Sequence, residues 1–200
     1  VMLFGGLPPM PRYTFLLHLG DNLYGGLEHC RSTLLMASRD SLPEPDNRAG
    51  HRYIQLLGLF SHEYFHTWNI KAMRPPEYRH YDLQNEQPTE MLWLFEGFTA
   101  FFDNWLLVRS GVITIHSYLE LLAQDIARYR QRPGRRVQTL AQSSYEAWTK
   151  LYNGGEDAVN SSTTYYIQGA LAAFCLDIYL RAHSEDGVSL PMIMHRLWHD

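Results

Sequence analysis

The sequence predicts an α+β fold with a helical majority. Three observations carry this. Runs rich in β-formers end by residue 38, apolar residues recur with helical spacing from residue 51, and turn residues separate the two regions.

Taken in order, RYTFLLHL at 12–19 fits a short strand. GDN at 20–22 and GG at 25–26 read as turn signals, STLLMAS at 32–38 as a second strand, and SLPEPDNRAG at 41–50 as a loop. Ile54, Leu57, Gly58, Ser61 and Phe65 then share one side of a helix that runs to about residue 69, and RPP at 74–76 prevents its continuation. A polar loop covers 75–89. Thr89 is placed to cap a helix over 90–109, which SG ends. Further helical runs cover 115–131, 140–152, 164–183 and 189–198.

At 200 residues the chain is long enough for one domain with a real core. A hydrophobic fraction of 46% against 19% charged residues marks it as globular. A net charge of −4 gives no reason to expect nucleic acid as a partner. The five arginines of RYRQRPGRR at 128–136 read as a solvated helix end. No long apolar window free of charge suggests a membrane span, and VMLFGGLPPMPRYTF lacks a basic leader. Cys30 and Cys175 are too few for a disulfide framework. The expectation is a soluble protein of the cytoplasm, the periplasm or the medium.

The chemistry is concentrated in HEYFHTWN at 62–69. Residues four apart on a helix face the same way, so His62 and His66 present two imidazoles to one ion. Glu63 lies one position round, where a general base would stand. A catalytic zinc needs a third protein ligand. WLFEGFTAFFD at 93–103 has the composition of a buried helix, and Glu96 stands in it among Leu92, Trp93, Phe95 and Phe98. A carboxylate in so apolar a setting is costly unless paired or bound to metal, which makes Glu96 the expected third ligand. Asp103, two turns further on, is placed to accept a hydrogen bond from a ligand histidine. The other histidines, His18, His51, His80, His116, His183, His195 and His199, have no partner at ligand spacing.

With these residues assigned, the pattern resembles the gluzincins, zinc peptidases whose third ligand is a glutamate on the next helix. YGGLEH at 24–29, HEYFHTWNIKAMRP at 62–75, LWLFEGFTAFF at 92–102 and YYIQGA at 165–170 together resemble the glycyl aminopeptidase family. The resemblance implies a thermolysin-like catalytic domain, with a small sheet packed on a larger helical half and one zinc ion between. It implies an aminopeptidase acting on peptides with a small first residue, glycine or alanine. Residues 1–50 would be the β-rich part carrying the amine-clamp strand, and 51–200 the helical zinc-binding part of the same domain. The N-terminal β domain and C-terminal PDZ-like domain of full-length members are not visible, so an excised catalytic domain is expected.

Gly25 and Gly26 let a peptide backbone approach, and Glu28 follows on what reads as an edge strand. The resemblance makes Glu28 the clamp for the substrate's free α-amine, although His29 stands where broader aminopeptidases carry asparagine. It makes Tyr166, three residues before Gly169, the oxyanion donor, with adjacent Tyr165 as the alternative. Two other readings stay open: an endopeptidase on the same scaffold, and a peptide-binding module that retains the zinc fold without turnover.

Overall fold

The sheet is organised around its most buried strand. The computed structural model describes residues 3–6, 8, 10–43, 50–80 and 82–199. Among these, β1 (Thr14–Gly20), β2 (Tyr24–Glu28) and β3 (Ser32–Ser38) form one sheet in the order β1-β3-β2. β1 runs parallel to β3, and β2 runs antiparallel. In β3, Thr33, Leu35 and Ala37 are buried while Leu34 and Met36 are exposed, the period-two alternation of a sheet covered on one face. The two glycines expected to turn the chain lie instead inside β2. The reversal comes later, where the His29 N–H donates to Ser32 O at 2.8 Å. β2 is therefore an edge strand, and its register sets Gly26 opposite Leu35 and Glu28 opposite Thr33, on the inner face.

Helix α1 (His51–Phe65) lies against that inner face. Phe15 meets Phe60 with ring centroids 5.2 Å apart, and Tyr13 meets Tyr64 at 5.0 Å. The helix stops at Phe65, short of residue 69, because the following amides reach back three residues: Thr67 N–H to Tyr64 O and Trp68 N–H to Phe65 O. The expected helix over 90–109 is α2 (Leu92–Arg109), with Met91 at the N-cap position. Thr89 stands two residues too early to cap it. Its hydroxyl donates to Glu77 Oε1 and accepts from the Met91 N–H.

Next come α3 (Ile115–Gln131), α4 (Leu140–Tyr145), α5 (Ala158–Ser161), α6 (Tyr165–His183) and α7 (Leu190–His199). The run expected over 140–152 breaks after Tyr145, where a short π turn at Ala147–Leu151 replaces the α-helical pattern. Arg128 and Arg130 occupy the last turn of α3, where cations suit the helix dipole.

The main core is aromatic. Phe65, Trp68, Phe98, Phe101 and Phe102 pack with Ala170, Ala173, Leu190 and Met194. α2 and α6 cross with their backbones in contact. A methyl at Gly97 would lie 2.7 Å from Gly169 C and 2.8 Å from Tyr165 O, and one at Gly169 would lie 2.7 Å from Trp93 O. This glycine-to-glycine crossing fixes how close the two helices bring Glu96 and Tyr166. No described helix is long and apolar enough to cross a membrane.

Candidate active site

The last turn of α1 and the first turns of α2 meet at one carboxylate oxygen. His62 Nε2 and His66 Nε2 each lie 3.2 Å from Glu96 Oε2. The other nitrogen of each ring is already engaged. His62 Nδ1 donates to Asp103 Oδ2 at 3.2 Å, and His66 Nδ1 donates to the Asn69 carbonyl at 3.0 Å. Both tautomers are thus fixed with Nε2 turned inward, the arrangement that carboxylate and carbonyl partners impose on ligand histidines. Asp103 is held in turn by the backbone N–H of Asn104.

These residues fit a metal ion. Two imidazoles and a carboxylate, with ligand atoms within 4.8 Å of one another, are the donor set of a three-ligand zinc site with an open position. The electrostatics agree. Burial opposes a charged His62 ring, yet hydrogen bonds to Asp103 and Glu96 outweigh it and push its pKa up to about 10. Burial likewise opposes charge on Glu96, and the two histidines beside it pull its carboxyl below the ordinary range. The cluster stabilises positive charge at its centre.

Glu63 points from the same helix toward the sheet. It is 4% exposed, and its Oε2 has no hydrogen-bond partner among the described residues. Burial raises its pKa, against the pull of His62 and His66. Its carboxylate lies against Gly26, where a methyl would come 2.5 Å from Glu63 Cδ and 2.7 Å from Cγ. Gly26 is bare on the inner face because the Glu63 side chain fills that space. Glu28, two residues along the same face, groups with Glu63 and His66, their ligand atoms also within 4.8 Å. Its Oε1 is paired with Lys71 Nζ at 3.1 Å.

Tyr165 and Tyr166 open α6, whose N-cap Thr164 accepts from the Tyr166 N–H. Their environments differ. Tyr165 is 1% exposed and packs in the interior. Tyr166 faces the cluster, its ring centroid 6.3 Å from that of His62. Burial and the negative charge of Glu96 push the Tyr166 phenol well above its usual range, so it stays protonated and able to donate. Tyr152, just past the π turn, places its hydroxyl 2.9 Å from that of Tyr165 and 3.2 Å from that of Tyr166.

Three contributors are not among the residues expected from sequence: Asn69, Lys71 and Tyr152. Asn69 is 2% exposed, and its amide donates to Phe95 O at 3.0 Å and Thr99 Oγ1 at 3.1 Å, tying the turn after α1 to α2. No spacing rule flags it, because its carbonyl is what meets His66. Tyr152 carries no sequence signal, because the π turn before it appears only in the fold.

A family model described as M61 glycyl aminopeptidase matches residues 55–172, more than half of the sequence. Among solved structures, the chain is similar to an aminopeptidase N family protein from Idiomarina loihiensis, at 42% identity and a TM-score of 0.95. The similarity covers 99% of this chain and 34% of that one, so the chain spans about a third of its relative's length. No curated protein matches. The matched segment runs from α1 into α6 and so contains the histidine pair, Glu96 and Tyr166. On this match, the chain belongs to the M61 glycyl aminopeptidase family.

Proposed function

We propose that the chain is the catalytic part of a zinc aminopeptidase that removes small first residues, glycine or alanine, from peptides. The observation that supports this best is that a three-ligand cluster, a buried carboxylate and an edge strand with its own carboxylate lie side by side. His62, His66 and Glu96 would hold the ion, with Asp103 and the Asn69 carbonyl fixing the histidine rings. Zinc bound there supplies Lewis-acid polarisation of the scissile carbonyl and eases ionisation of water.

The chain's own residues do the rest. Glu63, through Oε2, takes a proton from the attacking water and passes it to the leaving amine. The Tyr166 hydroxyl donates to the oxyanion. The open edge of β2 accepts the substrate main chain as an added strand, and Glu28 at its end accepts from the α-ammonium. That clamp sets cleavage one residue from the amino end. The chemistry fits a hydrolase whose specificity comes from the sheet and whose catalysis comes from the helices.

The test compares glycyl and alanyl chromogenic amides with their N-acetylated forms. Hydrolysis of the free amines alone is the expected result. Equal cleavage of acetylated peptides would replace the exopeptidase reading with an endopeptidase on the same scaffold.

A further inference from the structure

The carboxylate expected to receive the substrate amine already holds an ammonium group. Lys71 Nζ lies 3.1 Å from Glu28 Oε1, and the two side chains are only 16% and 17% exposed. An exposed lysine pair is loosely held and contributes little. This one is shielded between β2 and the turn that follows α1.

That turn is built to hold Lys71 in place. Its backbone N–H donates to His66 O at 3.0 Å, so the lysine is tied directly to a residue of the metal cluster. The preceding residue, Ile70, has a φ of 113°, a conformation that a β-branched residue adopts only under strain. Surrounding contacts impose it. Ile70 is buried and its N–H donates to Met73 O at 3.0 Å, while the buried Asn69 amide is anchored to α2. Backbone strain over-determined by its surroundings is characteristic of functional sites. Here it carries the chain from a histidine of the candidate cluster to a lysine that reaches Glu28 on β2.

We propose that Lys71 is a specificity-determining residue: its ammonium is an internal occupant of the amine subsite at Glu28, and a substrate binds by displacing it. The proposal rests on the assignment of Glu28 to the α-amine made above. The chemistry is direct. Lys71 and a substrate α-ammonium are both cationic donors suited to one carboxylate, and like charges crowded on it repel. Lys71 sits on a flexible four-carbon stem, so its ammonium can swing aside without moving the turn. Only ligands whose own ammonium reaches Glu28 recover the interaction that Lys71 gives up, so the subsite is closed to chains without a free amino end. The lysine thereby raises KM for every substrate and sharpens the discrimination against blocked ones.

The experiment uses the zinc-loaded protein, with Lys71→Met and Lys71→Arg as variants, glycyl p-nitroanilide as substrate and zinc content and melting temperature as folding controls. In Lys71→Met, KM should fall at least about fivefold, with the change in KM rather than in kcat. Lys71→Arg retains the competing cation, so its KM should stay at or above the wild-type value. An unchanged or raised KM in a folded, zinc-loaded Lys71→Met protein overturns the proposal. Failure of the premise looks different. If the wild-type protein cleaves N-acetylglycyl p-nitroanilide as well as the free amine, Glu28 does not read the amine and the proposal falls with that assignment.

Discussion

Gly26→Ala separates two roles that one glycine could play. The added methyl would sit 2.5 Å from Glu63 Cδ and 2.7 Å from Cγ. Carbon atoms in ordinary contact lie about 3.5 Å or more apart, so one group must move by about 1 Å. β2 is held by its register with β3, and α1 is fixed beneath the sheet by Tyr13, Phe15, Phe60 and Tyr64. The mobile partner is the Glu63 side chain. For the base role proposed for Glu63, a displacement of about 1 Å costs on the order of 100-fold in rate, or about 2.7 kcal/mol of barrier. Folding should not suffer in proportion. Gly26 does not have a positive φ, and replacing such a glycine by alanine lowers unfolded-chain entropy, worth about 0.4–1 kcal/mol. The assay is kcat and KM on glycyl p-nitroanilide, alongside zinc content and a thermal melt. The expected result is a kcat loss near 100-fold with zinc and melting temperature retained. A kcat within about threefold of wild type would refute the displacement, and a rise confined to KM would show that Gly26 serves only the approach of substrate.

Three more outcomes follow from the same geometry. Asp103→Asn weakens the hold on His62 Nδ1, so zinc affinity should fall by about 10- to 100-fold in a chelator competition. Tyr166→Phe should lower kcat by about 100-fold or more with little change in KM, because the role proposed for the phenol is to donate to the oxyanion and not to bound substrate. Gly169→Ala forces a methyl to 2.7 Å from Trp93 O, and the loss of the close α2–α6 crossing should cost about 1–3 kcal/mol in a denaturant melt.

Much of the fold was legible because periodicity carried it. The strand over 32–38 and the helix over 115–131 have the bounds read from the sequence. The candidate cluster was legible for a different reason. His62 and His66 are joined by helix geometry, and Glu96 stands out as a lone acid in an apolar helix. Other features depend on pairings between distant segments. The glycines of β2 read as turns because strand pairing with β3, not local preference, makes them a strand. Thr89 has the chemistry of a cap, but Glu77 and the start of α2 determine what it bonds. Asn69 acts through its carbonyl, a group that every residue carries. Lys71 matters only because the turn after α1 folds it onto Glu28, across the cleft.

The most direct test of the central claim, that this cleft hydrolyses peptides with a zinc ion held by His62, His66 and Glu96 and with Glu63 as base, is a zinc titration of chelator-treated protein. Hydrolysis of glycyl p-nitroanilide and bound zinc are followed together in wild type and Glu63→Gln. Wild-type activity is expected to rise with bound zinc and level off at about one equivalent, while Glu63→Gln takes up the same zinc and stays inactive. Turnover that is independent of zinc, or Glu63→Gln as active as wild type when loaded, would contradict the claim.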